Sequence, residues 1–209
     1  PVDSYKNINK NGLIAINVRE GDQVVGIAET FPGQEIILVS ASGKAIRFNT
    51  DDVRETGRNT SGVRGMNIGD DDEIVGMVPV TDNGELLVIS EKGYGKRSSV
   101  DDYRYQNRGG KGLITYKVSD KTGPLVGCTL VDDTKDLMII TNQGVIIRVA
   151  TAEIPTLSRA KSGVKLMRSN GASVVDFALT YYEEPEEEEN SSEGEVSEPA
   201  DTDTPSDAN

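Results

Sequence analysis

The most constraining feature of this chain is a unit that is written three times. The apolar segments that open the three units start at Glu35, Glu85 and Asp136, which are 50 and 51 residues apart. Each unit also closes in a second apolar run. The closing runs are 74–78, 125–128 and 174–177. Repeats of this length are typical of stacked or radial arrays of equivalent supersecondary units, so the sequence predicts such an array.

Residues 1–34 resemble the second half of such a unit. Segment 12–18 is similar to 112–118, and 23–27 is similar to the closing runs. Because the chain has no initiator Met and no first half of this unit, we expect a fragment of a longer protein. The predicted organisation is a half unit, three full units and a tail, in that order. Their boundaries are 1–34, 35–84, 85–135, 136–182 and 183–209.

The composition favours an all-β fold. Val, Ile and Thr dominate the apolar runs, and glycine-containing turns separate them, which is typical of strands and hairpins. No apolar run approaches the roughly 18 residues of a membrane-spanning helix. The chain has no histidine, which excludes His-based zinc sites and Ser-His-Asp triads. Its one cysteine, Cys128, lies in an apolar strand and is expected to be buried.

The net charge of −13 is concentrated in the tail. Segment 183–209 carries 12 acidic residues and no basic ones, which leaves 22 basic and 23 acidic residues in 1–182. A segment so acidic and so poor in apolar residues is expected to be disordered. Tethered beside a basic surface, it could act as a DNA mimic that competes for the same arginines, or it could simply add solubility.

Basic residues cluster between the second and third strands of each unit, and Arg47, Arg97 and Arg148 stand four residues after equivalent turn glycines. Acidic residues concentrate elsewhere, at 70–73 and 132–133, so we expect one rim of the array to be basic and another acidic. Guanidinium groups bind phosphate bidentately, and such contacts give affinity for DNA of any sequence. The alternative is that these charges only solvate exposed strand faces. The predicted DNA-binding residues are Lys44, Arg47, Arg58, Arg64, Lys96, Arg97, Arg108, Lys111, Arg148, Arg159, Lys161 and Lys165.

The most specific short motif is the loop 106–112, Gln106-Asn107-Arg108-Gly109-Gly110-Lys111-Gly112. Its glycines would let the loop lie flat with its amides exposed to a phosphate backbone. A hairpin turn also explains the glycines. The loop is not a phosphate-binding Walker loop, because no Lys-Ser/Thr pair follows at the required spacing.

Several long runs resemble one protein family. Segments 42–48, 53–66, 93–97 and 154–159 are similar to the C-terminal domain of the A subunit of bacterial DNA gyrase, a type IIA topoisomerase, and the resemblance covers 1–182. It implies a β-pinwheel, a propeller-like ring of six four-stranded blades joined by strand exchange, with DNA wrapped around a basic outer rim. This chain would be a fragment of that ring.

The family's signature heptapeptide reads Gln-Arg-Arg-Gly-Gly-Lys-Gly. Loop 106–112 matches it at six of seven positions, with Asn107 in place of the first arginine. The family's principal box lies in the first blade, whereas this loop lies in the next-to-last unit. The resemblance therefore implies an additional, partly degenerate box.

The resemblance implies a non-catalytic DNA-binding and DNA-wrapping module that supports ATP-dependent negative supercoiling. The catalytic tyrosine, ATP and Mg²⁺ would all act elsewhere in the holoenzyme, so this fragment is expected to carry no catalytic residue and to need no cofactor. Its implied partners are double-stranded DNA, the gyrase B protein and the rest of the gyrase A protein, which together form a heterotetramer. Its implied location is the bacterial cytoplasm, at the nucleoid.

Two alternatives remain open at this point. The first is the related C-terminal domain of topoisomerase IV, carried by the counterpart of the gyrase A protein in that enzyme. The second is a propeller that binds other proteins, which would need exposed aromatic or apolar anchors. The chain has 7 Tyr, 3 Phe and no Trp, and its basic residues recur, so the sequence favours the gyrase interpretation.

Overall fold

The computed structural model of the chain describes residues 2–82, 84–168 and 171–181. The tail 183–209, predicted to be disordered, lies outside these residues. The described part is built from antiparallel strands and short 3-10 turns, which confirms the all-β prediction. The strands are β1 Glu35–Ser40, β2 Lys44–Asn49, β3 Ile74–Pro79, β4 Glu85–Ser90, β5 Tyr94–Ser99, β6 Leu113–Ile114, β7 Leu125–Val131, β8 Lys135–Thr141, β9 Ile146–Ala150, β10 Val164–Lys165 and β11 Val174–Tyr181. The 3-10 turns are Val2–Tyr5, Thr50–Asp52, Val100–Asp102 and Thr151–Glu153.

Each full unit begins with a hairpin, formed by β1–β2, β4–β5 or β8–β9. The turn glycines that precede the repeated arginines have positive φ angles: 84° at Gly43, 77° at Gly93 and 76° at Gly144. A three-residue hairpin loop needs a left-handed residue before the second strand, and glycine adopts that conformation without a steric penalty. This requirement explains why glycine recurs at these three positions.

Neighbouring units exchange strands. Sheet 1 has the order β3-β1-β2-β6 and sheet 2 the order β10-β5-β4-β7. The short edge strand, β6 in sheet 1 and β10 in sheet 2, comes from the following unit. In sheet 1, Lys44 of β2 lies opposite Ile114 of β6. Sheet 3, as far as the structure describes it, has the order β11-β8-β9. We call the edge that receives β6 or β10 the outer edge, and the edge formed by β3, β7 or β11 the inner edge.

Two of the apolar cores lie between adjacent sheets, and a third cluster, which contains Ile36, Ile46 and Phe48, involves sheet 1 alone. Leu86 and Val88 of β4 belong to the cluster between sheets 1 and 2, whereas Leu87 and Ile89 belong to the cluster between sheets 2 and 3. Alternate side chains of one strand therefore enter two different cores. A strand buried on both faces needs a continuous apolar run instead of an alternating pattern, and this requirement accounts for the segment that opens each unit.

Residues 6–34, all of them described, contain no strand. Ile14 and Val24 in this part are exposed. One hydrogen bond of this segment has an equivalent in the next unit. The Asn17 amide donates to the Thr60 carbonyl at 3.0 Å, and at the equivalent positions the Asn67 amide donates to the Gly110 carbonyl at 2.9 Å. Among the described residues, no hairpin like β1–β2 pairs with this segment. The division of the chain into units remains a proposal.

Candidate nucleic-acid interface

The first repeated arginine links a hairpin to the following unit. Arg47 on β2 forms an ion pair with Glu35 on β1, with its Nε 2.6 Å from the carboxylate. Its Nη1 also donates to the backbone carbonyls of Val100, at 2.9 Å, and Tyr103, at 3.3 Å. Both carbonyls belong to the next unit. Arg47 therefore bridges the two units.

The second repeated arginine does the same between sheets 2 and 3. Arg97 forms ion pairs with Asp133 and, at 3.1 Å, with Glu85. Its Nε donates to the Ile154 carbonyl of the following unit at 2.7 Å. Since these partners enclose the guanidinium, only 7% of Arg97 is exposed.

The third repeated arginine, Arg148, keeps the pairing within its hairpin. Its Nε lies 2.6 Å from the carboxylate of Asp136, and its Nη2 donates to the Tyr181 carbonyl at 3.0 Å. The recurrence of arginine at one offset thus has a structural explanation, because each one joins the two strands of its hairpin through a carboxylate. DNA contact by these arginines stays a prediction.

The expectation that the predicted residues are surface charges needs correction at Lys96 and Arg97. Lys96 has no exposed surface. Its Nζ donates to Ser98 Oγ and to the carbonyls of Ser158, at 3.2 Å, and Arg159, at 2.8 Å. Burial lowers the pKa of the Lys96 ammonium from 10.5 to about 8. These two side chains lie on strand faces that the next unit covers, so neither presents its charge at the surface.

Lys96 occupies a position that is apolar in the other units. The equivalent residues are Ile46 on β2, which is fully buried, and Ile147 on β9, which is partly buried. Ile46 packs in an apolar cluster with Ile36, Phe48 and Met66 of its own unit, whereas Lys96 makes hydrogen bonds to Ser158 and Arg159 of the following unit. The exceptional role of this position is visible in the sequence, because a lysine replaces the isoleucine of the other two units.

Loop 106–112 is bound to the first unit. Arg108 donates from Nε to the Asp52 carbonyl, at 2.9 Å, and from Nη1 to the Arg64 carbonyl, at 2.6 Å. The Gly109 amide donates to the Gly65 carbonyl at 2.7 Å. A Cβ atom on Gly112 would lie 2.7 Å from the Ala45 carbonyl oxygen, so close approach of two backbones requires this glycine.

The prediction that the amides of this loop are free is therefore wrong for two of its glycines. Gly109 donates to Gly65, and Gly110 donates to the Asn107 carbonyl at 3.3 Å. The physical reason is that the loop leads into β6, which pairs with the edge of the preceding sheet. The loop therefore lies against the first unit, and its donors form hydrogen bonds there. Lys111 is the loop's exposed cation, whereas Arg108 is partly buried.

The equivalent arginine of the third unit behaves in the same way. Arg159 is partly buried and donates from Nη1 to the Ile114 carbonyl of β6, in the preceding unit. Among the other predicted residues, Lys44 and Arg58 are partly buried, and the most accessible ones follow the outer edge of the sheets. These accessible residues are Arg64, Lys111, Lys161 and Lys165.

The two acidic runs lie at opposite ends of the sheets, so the prediction of a single acidic rim is wrong. Asp72 accepts from the amide, at 2.9 Å, and the hydroxyl of Ser42 at the β1–β2 turn. These hydrogen bonds lower the pKa of the Asp72 carboxyl against the raising effect of burial. Asp132 and Asp133 instead follow the far end of β7 and line a cleft there. The basic outer edge runs between these two acidic ends.

One basic cluster was missed by the sequence reasoning. Lys121 and Lys165 place their ammonium groups 5.4 and 5.5 Å from the ring centroid of Tyr94. Only Lys165 was among the predicted residues. Lys121 does not recur at one offset, because the equivalent position of the first unit is Asp71, so the repeat gives no signal for it.

The chain matches a known protein family over most of its length. The family described as the DNA gyrase C-terminal domain, beta-propeller, matches residues 1–30, 34–81, 84–132 and 135–180. The chain belongs to this family. The resemblance to the gyrase family is confirmed.

Named relatives agree with the family. The gyrase-family chain is 51% identical over 197 residues to the gyrase A protein of Clostridium acetobutylicum, an alignment that covers 94% of this chain and 24% of that protein. It is 56% identical over 184 residues to the gyrase A protein of Streptococcus pyogenes serotype M3, covering 88% of this chain and 22% of that one. The chain therefore spans about a quarter of the length of these relatives.

Solved structures show the same fold. A DNA gyrase A C-terminal domain superposes with a TM-score of 0.76 at 29% identity, covering 81% of this chain and 58% of that one. A topoisomerase IV C-terminal domain superposes with a TM-score of 0.81 at 22% identity, covering 86% and 57%. The latter similarity concerns the fold alone. In the described part of the chain, no helix is long and apolar enough to cross a membrane.

Proposed function

We propose that this gyrase-family domain binds duplex DNA along its outer edge, without sequence preference, and bends it around the sheets. The proposal rests on the placement of four exposed cations between the two acidic ends. Lys111, Lys161 and Lys165 lie on or just before the exchanged strands, and Arg64 lies beside loop 106–112. Acidic ends repel phosphates and would confine a duplex to the basic edge. Phosphate contacts by such cations give affinity that does not depend on base sequence.

The wider setting of this activity is also a proposal. The relatives named as gyrase A proteins support a role as the DNA-wrapping part of gyrase A, acting with the gyrase B protein during ATP-dependent supercoiling. Such a role would place the domain in the bacterial cytoplasm, at the nucleoid. The same relatives favour gyrase over topoisomerase IV.

A protein-binding propeller is less well supported. Its anchors would be exposed aromatic or apolar side chains grouped on a folded face. Many of the exposed large apolar residues lie instead in 2–31, where the structure has no sheet.

A salt titration tests the proposal. Affinity for a labelled duplex of random sequence should fall steeply with salt, with a log–log slope of about −0.9 per phosphate contact. Replacing Lys111, Lys161 and Arg64 with glutamine should reduce the slope by roughly three contacts and weaken all duplexes alike. The matched control neutralises Lys6, Lys10 and Lys135, none of which lies on the exchanged strands β6 and β10, and should change the slope by less. No measurable salt-dependent binding by the wild-type chain would overturn the proposal.

Bending is measured separately. Nicked circular DNA is sealed by ligase in the presence of the domain. The topoisomer distribution of the sealed circles should shift in proportion to the amount of bound protein. A chain that binds DNA but leaves this distribution unchanged would retain the binding part of the proposal and lose the wrapping part.

A further inference from the structure

Tyr94 is the centre of a cationic cluster at the junction of the second and third units. Lys165 lies on β10, the exchanged strand, directly opposite Tyr94 on β5. Directly opposite residues of an antiparallel pair project from the same face of the sheet, so this lysine is held beside the ring by the register. Lys121 approaches the same ring from the segment between β6 and β7, with its ammonium 5.4 Å from the centroid.

The ring is a fixed platform. Tyr94 is partly buried and packs against the core between sheets 1 and 2. An ammonium group within about 6 Å of an aromatic face is attracted to the ring, and this attraction biases a long side chain toward one geometry. Tyr94 therefore orders two lysines that would otherwise move freely in solvent.

The cluster carries unbalanced positive charge. Lys92, Lys121 and Lys165 are all exposed, and Lys92 reaches the same region by donating to the Asp120 carbonyl at 2.5 Å. Within the described residues, none of these lysines forms an ion pair with a carboxylate. The nearby Glu91 carboxylate accepts from the Ser173 hydroxyl at 2.9 Å instead. Like charges held around one ring repel each other, and a bound anion would relieve this repulsion.

The preceding junction has a related arrangement. There Lys44 on β2 lies opposite Ile114 on β6, so the cation comes from the hairpin and not from the exchanged strand. Both junctions thus place a lysine at the same strand pair of the outer edge. The second junction adds the aromatic ring and a further lysine.

We propose that Tyr94, Lys121 and Lys165 form a binding site for the phosphate backbone of duplex DNA. The site rests on the proposed function and names one place on the outer edge where that function is concentrated. The lysines contact phosphate oxygens, and Tyr94 is a positioning residue that holds their ammonium groups. The ligand is recognised by its negative charge and not by its bases.

The test measures binding of the full chain to a labelled random duplex across a salt series. Lys121→Gln with Lys165→Gln should weaken binding roughly tenfold or more at low salt and reduce the log–log slope by about two contacts. The matched control, Lys10→Gln with Lys135→Gln, removes the same charge away from the ring and should change neither quantity as much. The unfolding midpoint of each variant shows whether the fold is retained.

The positioning role has its own readout. Tyr94→Leu should weaken binding by a few-fold while leaving the slope nearly unchanged, because no charge is removed. Tyr94→Phe keeps the aromatic face and should bind like the wild type. If the double-lysine variant matches its control while the wild type binds DNA normally, this site is refuted and the proposed function stands. If the wild type itself shows no salt-dependent binding, the proposed function fails first.

Discussion

The ring of Phe177 packs on the backbone of Gly127, so closely that a methyl group there would lie 2.7 Å from Cε1 of the ring. Gly127 lies on the inner strand β7 and Phe177 on the inner strand β11. The same relation joins Gly76 of β3 to Cys128 of β7. A glycine on the inner strand therefore allows the next unit to pack directly against it. In the third unit this position is Asp176, which is exposed.

The first prediction concerns this contact. Gly127→Ala should reduce the free energy of unfolding by about 1–3 kcal/mol, because the new methyl group overpacks the contact with Phe177. Gly26→Ala is the matched control, since Gly26 holds the equivalent position in the half unit and no atom lies within 4 Å of its would-be Cβ. That change should stay within about 0.5 kcal/mol. Urea unfolding followed by circular dichroism measures both, and equal losses would contradict the packing argument.

The repeated arginine gives the second prediction. Arg97→Met keeps much of the side-chain volume but leaves Glu85 and the Ile154 carbonyl without their partner, so we expect a loss of about 2–4 kcal/mol. The Arg47 side chain is more exposed than that of Arg97, at 18% against 9%, and its replacement by Met should cost less. Arg104→Met, at an exposed arginine of the same unit, serves as the control and should be nearly neutral. An equal loss for all three variants in urea unfolding would argue against the bridging role.

Much of this fold follows from the sequence. The apolar runs fix β1, β4 and β8, and the turn glycines fix the hairpins that follow them. The sequence could not show which cations lie inside, because an arginine bridging two units and an arginine at a free surface produce the same repeat. The burial of Lys96 also depends on Ser158 and Arg159, which are more than sixty positions away in sequence. Long-range contacts of this kind decide the site, and periodicity does not record them.

The buried lysine gives the third prediction, which depends on pH. Folding lowers the pKa of Lys96 from 10.5 to about 8. Between these values the unfolded chain binds more protons than the folded one, so stability rises as pH increases from 8 toward 10.5. We expect this group to contribute a rise of about 2 kcal/mol across the window. Below pH 8 both states are protonated and this contribution is constant.

The Lys96→Ile variant isolates the effect, since isoleucine is the residue of the first and third units at this position. The free energy of unfolding of the wild type, minus that of the variant, should increase as pH rises from 8 to 10. Burial raises the pKa of Tyr103 to about 12, and its contribution cancels in this difference because both chains contain it. A difference that does not vary with pH would show that Lys96 titrates normally in the folded chain.

The last prediction separates the two cations of loop 106–112. Arg108 donates to the carbonyls of Asp52 and Arg64, whereas Lys111 is exposed. Arg108→Ala should therefore lower the free energy of unfolding by about 1–2 kcal/mol, because two charge-assisted hydrogen bonds at a partly exposed site are lost. Lys111→Ala should leave stability within about 0.5 kcal/mol and reduce the salt slope of DNA binding by about one contact. Urea unfolding and the salt titration, applied to both variants, give a two-by-two comparison. If Lys111→Ala destabilises the fold while Arg108→Ala affects only DNA binding, the roles assigned to these two residues are reversed.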